Sequence, residues 1–544
     1  MKKMKNFTLT IFLISCLTVS SFGFSKDKTL SENKKTTFFI PAPSFDNYAA
    51  PIIDDATVLA FFKKYSQLKE YQKDVSTLYK DRSYKTIWYE GNDINEFGHL
   101  MYQKLNSTYE QGVQVRIPYK DKIDEVFNEE SDKKISESDT ELLLSSMYIL
   151  YAKHVFQGMD AAEQNKIEWY LPKKKLSYET LLDSIVTNHN LLDENNHILF
   201  SQYYKLQNVL KKYREIEKNN TWKTITMPNP YKDLRPDDTG VTIQDVRTRL
   251  FVIGDLAQDS KSNFYDQELM DGVMKYKLRH VLTPNYIINQ EHINQMNEPV
   301  SDRIKTLMLN MERCRWIPPT LENQEEYVMV NIPSFRLYFV RNGNYDVVSK
   351  VFIGTPLTKT VIFSGQIDRI VFSPYWYVPS SIIKNELQLK IAEDKNYLAD
   401  HNMEWNGGNV RQKPGPENAL GLVKFMFPNP NDIYMHDSPS KTLFGFEKRI
   451  FSHGCINVEK AKELAVAMMK DYPDWTIDKI NAAMSGEKET PFKLTKKIPI
   501  YIGYFTAWVS KEGDIGFFPD VYERDVKLNS LLFPLDTGYK TANN

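Results

Sequence analysis

Cysteine is scarce in this sequence. Only three cysteines occur among 544 residues, at positions 16, 314 and 455. A scaffold of several disulfides is therefore excluded. If the N-terminal segment is removed, one disulfide between Cys314 and Cys455 remains an alternative to two free thiols. We expect free thiols, because Cys314 lies in a different segment and Cys455 has the surroundings of a nucleophile.

The chain also lacks an excess of charge of either sign. Its 69 Lys and Arg residues are matched by 70 Asp and Glu residues, for a formal net charge of −1. This balance gives no argument for nucleic acid or an anionic membrane surface as a partner. The apolar run 7–19 is too short for a stable membrane span, and no other stretch is long enough to cross a bilayer. The length instead predicts about three globular domains.

The N-terminus resembles a secretory signal peptide. Three lysines within the first five residues precede the apolar run 7–19, and small residues follow as far as Ser25. We therefore expect residues 1–25 to be a signal peptide, residues 26–50 a polar linker, and the protein to be exported to the periplasm or cell envelope. The segment Leu-Ile-Ser-Cys at 13–16 also resembles a lipobox. Lipidation of Cys16, with membrane proximity, is therefore the alternative, although the apolar residues after Cys16 disfavour it.

The first half of the chain has helical periodicity. Residues 51–228 predict a helical domain, with Met-Pro-Asn-Pro at 227–230 as its boundary. Residues 236–312 predict a small helical module, with helices at 245–253, 268–280 and 304–313. The aromatic segment 84–89 predicts core packing rather than an exposed binding face. Apolar residues recur on one face at three places: Val58, Phe61, Phe62, Tyr65 and Leu68; Leu142, Leu143, Met147, Leu150, Tyr151 and Val155; Tyr203, Leu206, Val209, Leu210 and Tyr213.

The period changes to strands after residue 326. The Asn-Gly pair at 342–343 stands between two β-rich runs and predicts a hairpin. A largely polar stretch at 381–421 interrupts the β pattern, and such insertions are more often functional than idle, so we predict a lid there. The whole pattern predicts a multidomain α+β protein. Strands are expected at 327–333, 336–340, 347–353, 370–372, 423–427, 433–436 and 499–509.

Residues 433–463 contain the chemistry-bearing pattern. A short strand ending at His436 is followed by a loop, a tight turn at 452–455 and a helical pattern. Asn457 predicts the helix N-cap, which would place Cys455 just before a helix N-terminus, where a thiolate is stabilised. His436 is the candidate base. The backbone N–H groups of Gly454 and Cys455 are candidates for an oxyanion hole.

Two other interpretations of these residues remain open. A cysteine in a helix-start turn can be a buried structural residue, and a histidine can be structural as well. A zinc site built from His436, His453 and Cys455 would need a fourth ligand, for which His401 is a candidate. The concentration of His436, His453, Gly454 and Cys455 in one strand–turn segment favours a Cys–His nucleophilic site.

The same residues resemble a known family. The sequence Ser-His-Gly-Cys-Ile-Asn at 452–457, with fifteen residues between His436 and Ser452, resembles the signature of L,D-transpeptidases with a YkuD-type catalytic domain. Among them, the large YcbB-type members are the most similar. Further segments that carry this resemblance are Asn-Met-Glu-Arg at 310–313, Arg-Trp-Ile-Pro at 315–318, Val-Asn-Ile-Pro at 330–333, Pro-Tyr-Trp at 374–376, Arg-Gln-Lys-Pro-Gly-Pro at 411–416, Asn-Ala-Leu-Gly at 418–421, Lys-Phe-Met-Phe-Pro-Asn at 424–429 and Tyr-Phe-Thr-Ala-Trp at 504–508.

The resemblance implies a domain plan. It makes 51–228 a helical scaffold, 236–312 a peptidoglycan-binding-like module and 322–525 the mostly-β catalytic domain, with 381–421 as candidate lid. It implies a cell-wall enzyme acting in peptidoglycan biosynthesis, cell wall organisation and cell shape. The expected reaction forms 3–3 cross-links between stem peptides through a Cys acyl-enzyme, with release of D-Ala. The alternatives are an L,D-carboxypeptidase that uses water as acceptor, or a non-catalytic wall-binding protein.

The resemblance also implies roles for individual residues. Cys455 would be the nucleophile and His436 its proton donor and acceptor, while His453 and Ser452 would shape the turn and orient His436. Neither a cofactor nor a metal is expected, and carbapenem-type inhibitors are plausible ligands besides donor and acceptor stem peptides. Contacts with the substrate are expected from Tyr434, Trp376, Ser452 and Asn457.

Overall fold

A computed structural model describes residues 51–128, 135–188 and 198–533. The predicted signal peptide at 1–25, the linker at 26–50 and Cys16 lie outside the described residues. Within the described ranges, no helix has the length and apolar character needed to cross a membrane.

The N-terminal part is helical, as expected. Asp54, Asn95, Ser136 and Ser177 begin four of its helices, each accepting a backbone N–H bond from the first turn. The helices are α1 (Asp55–Lys64), α2 (Gln72–Asp81), α3 (Glu96–Asn106), α4 (Lys120–Phe127), α5 (Glu137–Tyr151), α6 (Ala161–Lys166), α7 (Tyr178–Thr187) and α8 (Ser201–Lys218); the strands are β1 (Tyr89–Glu90), β2 (Asp93–Ile94) and β3 (Trp169–Tyr170).

The predicted apolar faces form the core of this part. All their members are buried except Val209, which is partly buried against the same core. Ile87 and Trp88, from the aromatic segment 84–89, are also buried, so its core interpretation is confirmed for these two residues. Helix α5 is buried along nearly its whole length because the other helices surround it.

The next segment contains α9 (Val241–Ile253), α10 (Gln267–Arg279), α11 (Gln290–Met296) and α12 (Val300–Trp316). A separate small core joins side chains between Ile225 and Met296. Helix α12 is different, because its apolar side chains lie in the main core with the N-terminal helices and the sheet. The sequence pattern predicted a third module helix at 304–313; the helix is present, but it packs into the main core.

The C-terminal part is built on strands, as predicted. Its strands are β4 (Glu326–Asn331), β5 (Arg336–Arg341), β6 (Asn344–Gly354), β7 (Ile362–Phe372), β8 (Trp376–Tyr377), β9 (Met403–Asn406), β10 (Asn409–Gln412), β11 (Val423–Met426), β12 (Met435–His436), β13 (Ile450–Ser452), β14 (Ile456–Val458), β15 (Thr490–Gly503), β16 (Ala507–Val509) and β17 (Ile515–Phe517). Its helices are α13 (Ser380–Ile382), α14 (Gln388–Glu393), α15 (Tyr397–Asp400), α16 (Ala461–Met468), α17 (Ile477–Met484) and α18 (Arg524–Leu532).

The main sheet closes on itself. Its strands pair in the order β11-β12-β14-β6-β5-β4-β15-β7, and β11 pairs back with β7. Closure removes exposed strand edges from this ring. Strand β13 attaches to β6, and β3 of the N-terminal part attaches to β7. The N-terminal part is thus joined to the sheet by backbone pairing as well as by core packing.

The hairpin between β5 and β6 is confirmed. Asn342 and Gly343 both adopt positive φ, at 49° and 73°, as a two-residue type I′ turn requires.

The strand expected at 499–509 is interrupted between β15 and β16. There, Asn331 accepts a hydrogen bond from the Phe505 N–H, and Asn310 accepts one from the Thr506 N–H. These side chains satisfy backbone groups that a continuous strand would have paired.

The insertion comprises residues 376–412. It contains a three-stranded sheet in the order β8-β10-β9 and the short helices α13, α14 and α15. Val378, Ile382, Leu387 and Val410 form a small core of its own. The sequence predicted an irregular, largely polar lid at 381–421; the structure shows an ordered subdomain that already includes β8.

Candidate active site

Strands β12 and β14 bring the candidate nucleophile and base to one surface. They run parallel, with Met435 opposite Ile456 and His436 opposite Asn457. Met435 and Ile456 are fully buried in the core. Because side chains alternate along a strand, the residues on either side of them point to the opposite face. That face carries Tyr434, His436, Cys455 and Asn457.

His436 is a buried, neutral base. Only 5% of it is exposed, and burial lowers the pKa of its imidazole to about 4. Its Nδ1 lies 2.6 Å from the Asp437 carbonyl oxygen. The Leu420 backbone also hydrogen-bonds to this ring. A carbonyl oxygen only accepts, so Nδ1–H is the donor and, in the neutral ring, Nε2 carries the lone pair. The ring is therefore in the tautomer that can remove a proton.

Asp437 fixes the carbonyl that holds this tautomer. Its carboxylate accepts hydrogen bonds from Lys441 Nζ and from the Leu422 N–H, the latter at 3.0 Å. Gly421 packs against it with φ at +62°, and a Cβ there would lie 2.5 Å from the Asp437 side chain. Asp437 and Gly421 thus position His436 without reaching the thiol.

Cys455 is partly exposed, and both it and Cys314 are free. Burial raises the pKa of the Cys455 thiol to about 11. Hydrogen bonds from the Tyr434 backbone N–H and hydroxyl lower this pKa, and the charge of Asp432 raises it further. The Tyr434 ring also lies 5.7 Å from the His436 ring. The resting pair is therefore a thiol and a neutral imidazole, so any reaction through the thiolate would require the Cys455 thiol to give up its proton.

The prediction of a helix directly after Cys455 is wrong. Residues 456–458 form β14, and α16 begins at Ala461 with Lys460, not Asn457, as its N-cap. Ile456 and Val458 are β-branched, fully buried and paired in the sheet, so tertiary packing overrides the capping signal of Asn457. The helix dipole weakens within its first turn and does not activate this thiol.

Ser452 closes the catalytic turn, residues 452–455, from within. Its hydroxyl donates to the Cys455 carbonyl at 2.6 Å and accepts the Gly454 N–H at 3.2 Å. Gly454 has φ at +116°, a conformation that favours glycine. Ser452 thus shapes the turn, as expected, and its hydroxyl is engaged there. In the described part of the chain the Cys455 N–H has no hydrogen-bond acceptor, so it is the better oxyanion donor of the two predicted N–H groups.

Residues 354–360, the floor loop, support the turn from below. Thr360 Oγ1 donates to the Gly454 carbonyl at 2.8 Å and accepts the Gly354 N–H at 3.0 Å. Thr358 Oγ1 donates to the Ser452 carbonyl at 3.0 Å. A Cβ on Gly354 would lie 1.9 Å from the Thr358 carbonyl oxygen, so this position accepts only glycine.

Tyr522 locks the floor loop in turn. Its hydroxyl donates to the Gly354 carbonyl at 2.6 Å and accepts the Thr360 N–H at 3.2 Å. This support was not predicted from the sequence. The available signal was the sequence Thr-Pro-Leu-Thr-Lys-Thr at 355–360, whose threonines recur beside a glycine.

His453 points to a different partner from the one expected. Its Nε2–H donates to the Glu386 carboxylate at 2.8 Å, with 57% of the His453 and 45% of the Glu386 side chain exposed. The Asp437 carbonyl, not His453, orients the His436 ring. Glu386 lies in the insertion, so this contact joins the insertion to the catalytic turn.

The remaining predicted site residues are Trp376, Asn457 and His401. Trp376 lies in β8 and packs against the core of the insertion. Asn457 is 4% exposed beside His436, which leaves little of it for a ligand. Within the described ranges, no three His, Cys, Asp or Glu side chains are grouped to hold a metal ion. His401 has its Nδ1 at 2.8 Å from the Tyr397 carbonyl oxygen, within the insertion.

Two parts of the chain match known families. Residues 325–477 match the L,D-transpeptidase catalytic domain, YkuD, and residues 73–210 match the scaffold domain. A protein of Haemophilus influenzae named "Putative L,D-transpeptidase" is 32% identical over 250 residues, which are 42% of this chain and 50% of that protein. The chain thus spans about half the length of this relative.

Solved structures give a distant likeness. An L,D-transpeptidase from Stackebrandtia nassauensis is 13% identical, over 50% of this chain and 97% of its own, with a TM-score of 0.22. L,D-transpeptidase LdtMt1 in complex with imipenem is 14% identical, over 33% and 59%, with a TM-score of 0.19. TM-scores of this size do not support a structural argument.

Proposed function

We propose that residues 325–477, which match the L,D-transpeptidase catalytic domain, YkuD, form 3–3 cross-links in peptidoglycan through an acyl-enzyme on Cys455. The donor would be a stem tetrapeptide that ends in a diamino acid and D-Ala. The observation that carries the proposal is the shared face of Tyr434, His436 and Cys455, with Nδ1 of His436 held by the Asp437 carbonyl.

In the first half-reaction, Cys455 Sγ attacks the carbonyl carbon at the L-centre of the diamino acid. His436 Nε2 takes the thiol proton as the C–S bond forms, because the resting thiol is protonated. The Cys455 N–H donates to the oxyanion. The C–N bond to D-Ala then breaks, and His436 returns the proton to the leaving amine. A thioester and free D-Ala result.

In the second half-reaction, the side-chain amine of another stem peptide attacks the thioester. The new C–N bond forms, the C–S bond breaks, and the amine proton passes through His436 to the sulfur. The amide energy of the first bond is carried in the thioester, so the exchange needs no ATP. Water in place of the amine would give the L,D-carboxypeptidase reaction. The insertion, residues 376–412, is the proposed lid that limits this hydrolysis.

The proposed reaction places the protein in the cell envelope. Export through the signal peptide at 1–25 fits this place, and lipidation at Cys16 is the alternative way of reaching it. A carbapenem would mimic the donor, since opening its lactam by the Cys455 thiol gives a comparable thioester.

Cys455→Ala tests the proposal. Purified disaccharide-tetrapeptide is the substrate, and free D-Ala, cross-linked dimer and tripeptide are measured separately. We expect D-Ala release from the wild type and from Cys314→Ala, whose thiol is buried away from the site, and none from Cys455→Ala. Release of D-Ala by Cys455→Ala at the wild-type rate would refute the acyl-enzyme. Tripeptide without dimer would favour the carboxypeptidase.

A further inference from the structure

Glu386 stands out as a charged group that the proposed chemistry does not use. It lies in the segment between α13 and α14 of the insertion, and its carboxylate meets His453 at 2.8 Å. His453 is two positions before Cys455. The carboxylate therefore approaches the catalytic turn from the insertion side.

The contact between Glu386 and His453 is accessible to other hydrogen-bonding groups. Both side chains are about half exposed, at 57% and 45%. Exposed ion pairs contribute little to stability, because water and salt compete with them. A cationic donor from solution can therefore replace the imidazole N–H on Glu386 at small cost.

The carboxylates near the thiol favour a positively charged donor. The Asp432 carboxylate is among the groups that raise the pKa of Cys455. In a segment that also carries Lys384, Glu386 provides a second carboxylate on the insertion side of the turn. This carboxylate would attract an ammonium group. Water has no charge and would gain no comparable advantage.

We propose that Glu386 binds the side-chain ammonium of the acceptor stem peptide and thereby favours cross-linking over hydrolysis. This inference rests on the proposed function and specifies its acceptor subsite. On arrival the ammonium takes the place of His453 on the carboxylate. It then loses one proton to solvent, and the neutral amine attacks the thioester, breaking the C–S bond. The second amine proton returns to the sulfur through His436.

The test compares Glu386→Gln with Glu393→Gln in the full chain. Glu393 is an exposed carboxylate at the end of α14, in the same insertion, and serves as the matched control. The ratio of dimer to tripeptide is measured against acceptor concentration. Since a charge-assisted hydrogen bond is lost at an exposed site, we expect the acceptor KM of Glu386→Gln to rise about 3- to 10-fold. Glu393→Gln should match the wild type.

A second readout separates acceptor binding from simple closure of the lid. Hydrolysis without acceptor should be equal in the wild type and Glu386→Gln, whereas loss of a closing contact would accelerate hydrolysis. A faster hydrolysis, or an unchanged acceptor KM, would overturn the inference. Release of D-Ala is followed in the same samples. If the wild type releases D-Ala and forms dimer, the proposed function stands even when the role of Glu386 fails.

Discussion

The catalytic turn has two sides that are held in different ways. On the floor side, Thr360 is fully buried and bonds to two backbone groups, Gly354 N–H and Gly454 carbonyl. On the insertion side, the turn meets Glu386 through one exposed pair. A buried polar group left without its partner costs about 1–3 kcal/mol, whereas an exposed ion pair contributes about 0.2–1 kcal/mol. The floor therefore fixes the geometry of the turn, and the insertion side is free to respond to ligands.

The largest effect should separate His436, the proposed base, from His453, which contacts the insertion. His436→Gln removes the proposed base, and kcat/KM for D-Ala release should fall about 10²- to 10⁴-fold. His453→Gln keeps an N–H donor for Glu386, so we expect a loss of less than about 10-fold, the small effect of an exposed contact. Equal losses in the two variants, measured at saturating acceptor, would mean that His453 takes part in the proton transfer.

This contrast also shows what could be predicted from the sequence. His436 and Cys455 were predicted because their residue types and spacing resemble a family signature. The role of the floor loop was not predicted, because Thr360 and Gly454 are 94 positions apart and no local pattern encodes their contact. The helix start at Asn457 failed for a related reason: a local capping signal competes there with two neighbouring strands, which pair residues 456–458 into the sheet.

The periodicity of the sequence predicted the kinds of elements better than it predicted where each element ends. The Asn342–Gly343 hairpin was predictable because its turn chemistry is local. The break in the strand after Gly503 was not, since it depends on Asn310 and Asn331, which lie far away in the chain. For the same reason, the contact between Glu386 and His453 has no sequence signal.

The next effect concerns pH. The pKa of His436 is lowered to about 4 in the folded protein, whereas its usual value is 6.5. The unfolded chain then binds more protons between these values, so the unfolding free energy should rise as pH increases from about 4 to 6.5 and gain nothing further above that range. A shift of this size corresponds to about 3 kcal/mol.

Urea unfolding at several pH values checks this prediction. His280, whose pKa burial also lowers, contributes to the slope with the same sign, so the informative quantity is the difference between wild type and His436→Gln. That difference should grow as the pH increases from 4 to 6.5. A pH-independent difference would show that His436 is not buried as a neutral base.

A smaller effect is expected from the floor loop. Thr360→Val keeps the shape of the side chain but leaves the Gly354 N–H and the Gly454 carbonyl without their hydroxyl partner. The unfolding free energy should fall by about 1–3 kcal/mol. Thr360→Ser keeps the hydroxyl and should recover most of the loss. Equal stabilities of the two variants in urea unfolding would mean that the hydroxyl does not hold the turn.

The smallest effect should come from Glu386→Gln measured as stability. The pair with His453 is about half exposed, so the unfolding free energy should change by less than about 1 kcal/mol. Salt screens exposed charges, so this change should shrink further at about 1 M NaCl, while the loss in Thr360→Val should persist. If Glu386→Gln instead destabilised the protein as strongly as Thr360→Val, the insertion would be a structural support of the turn. A small, salt-sensitive change together with a raised acceptor KM would assign Glu386 to ligand binding, because the charge would then matter for the acceptor and not for the fold.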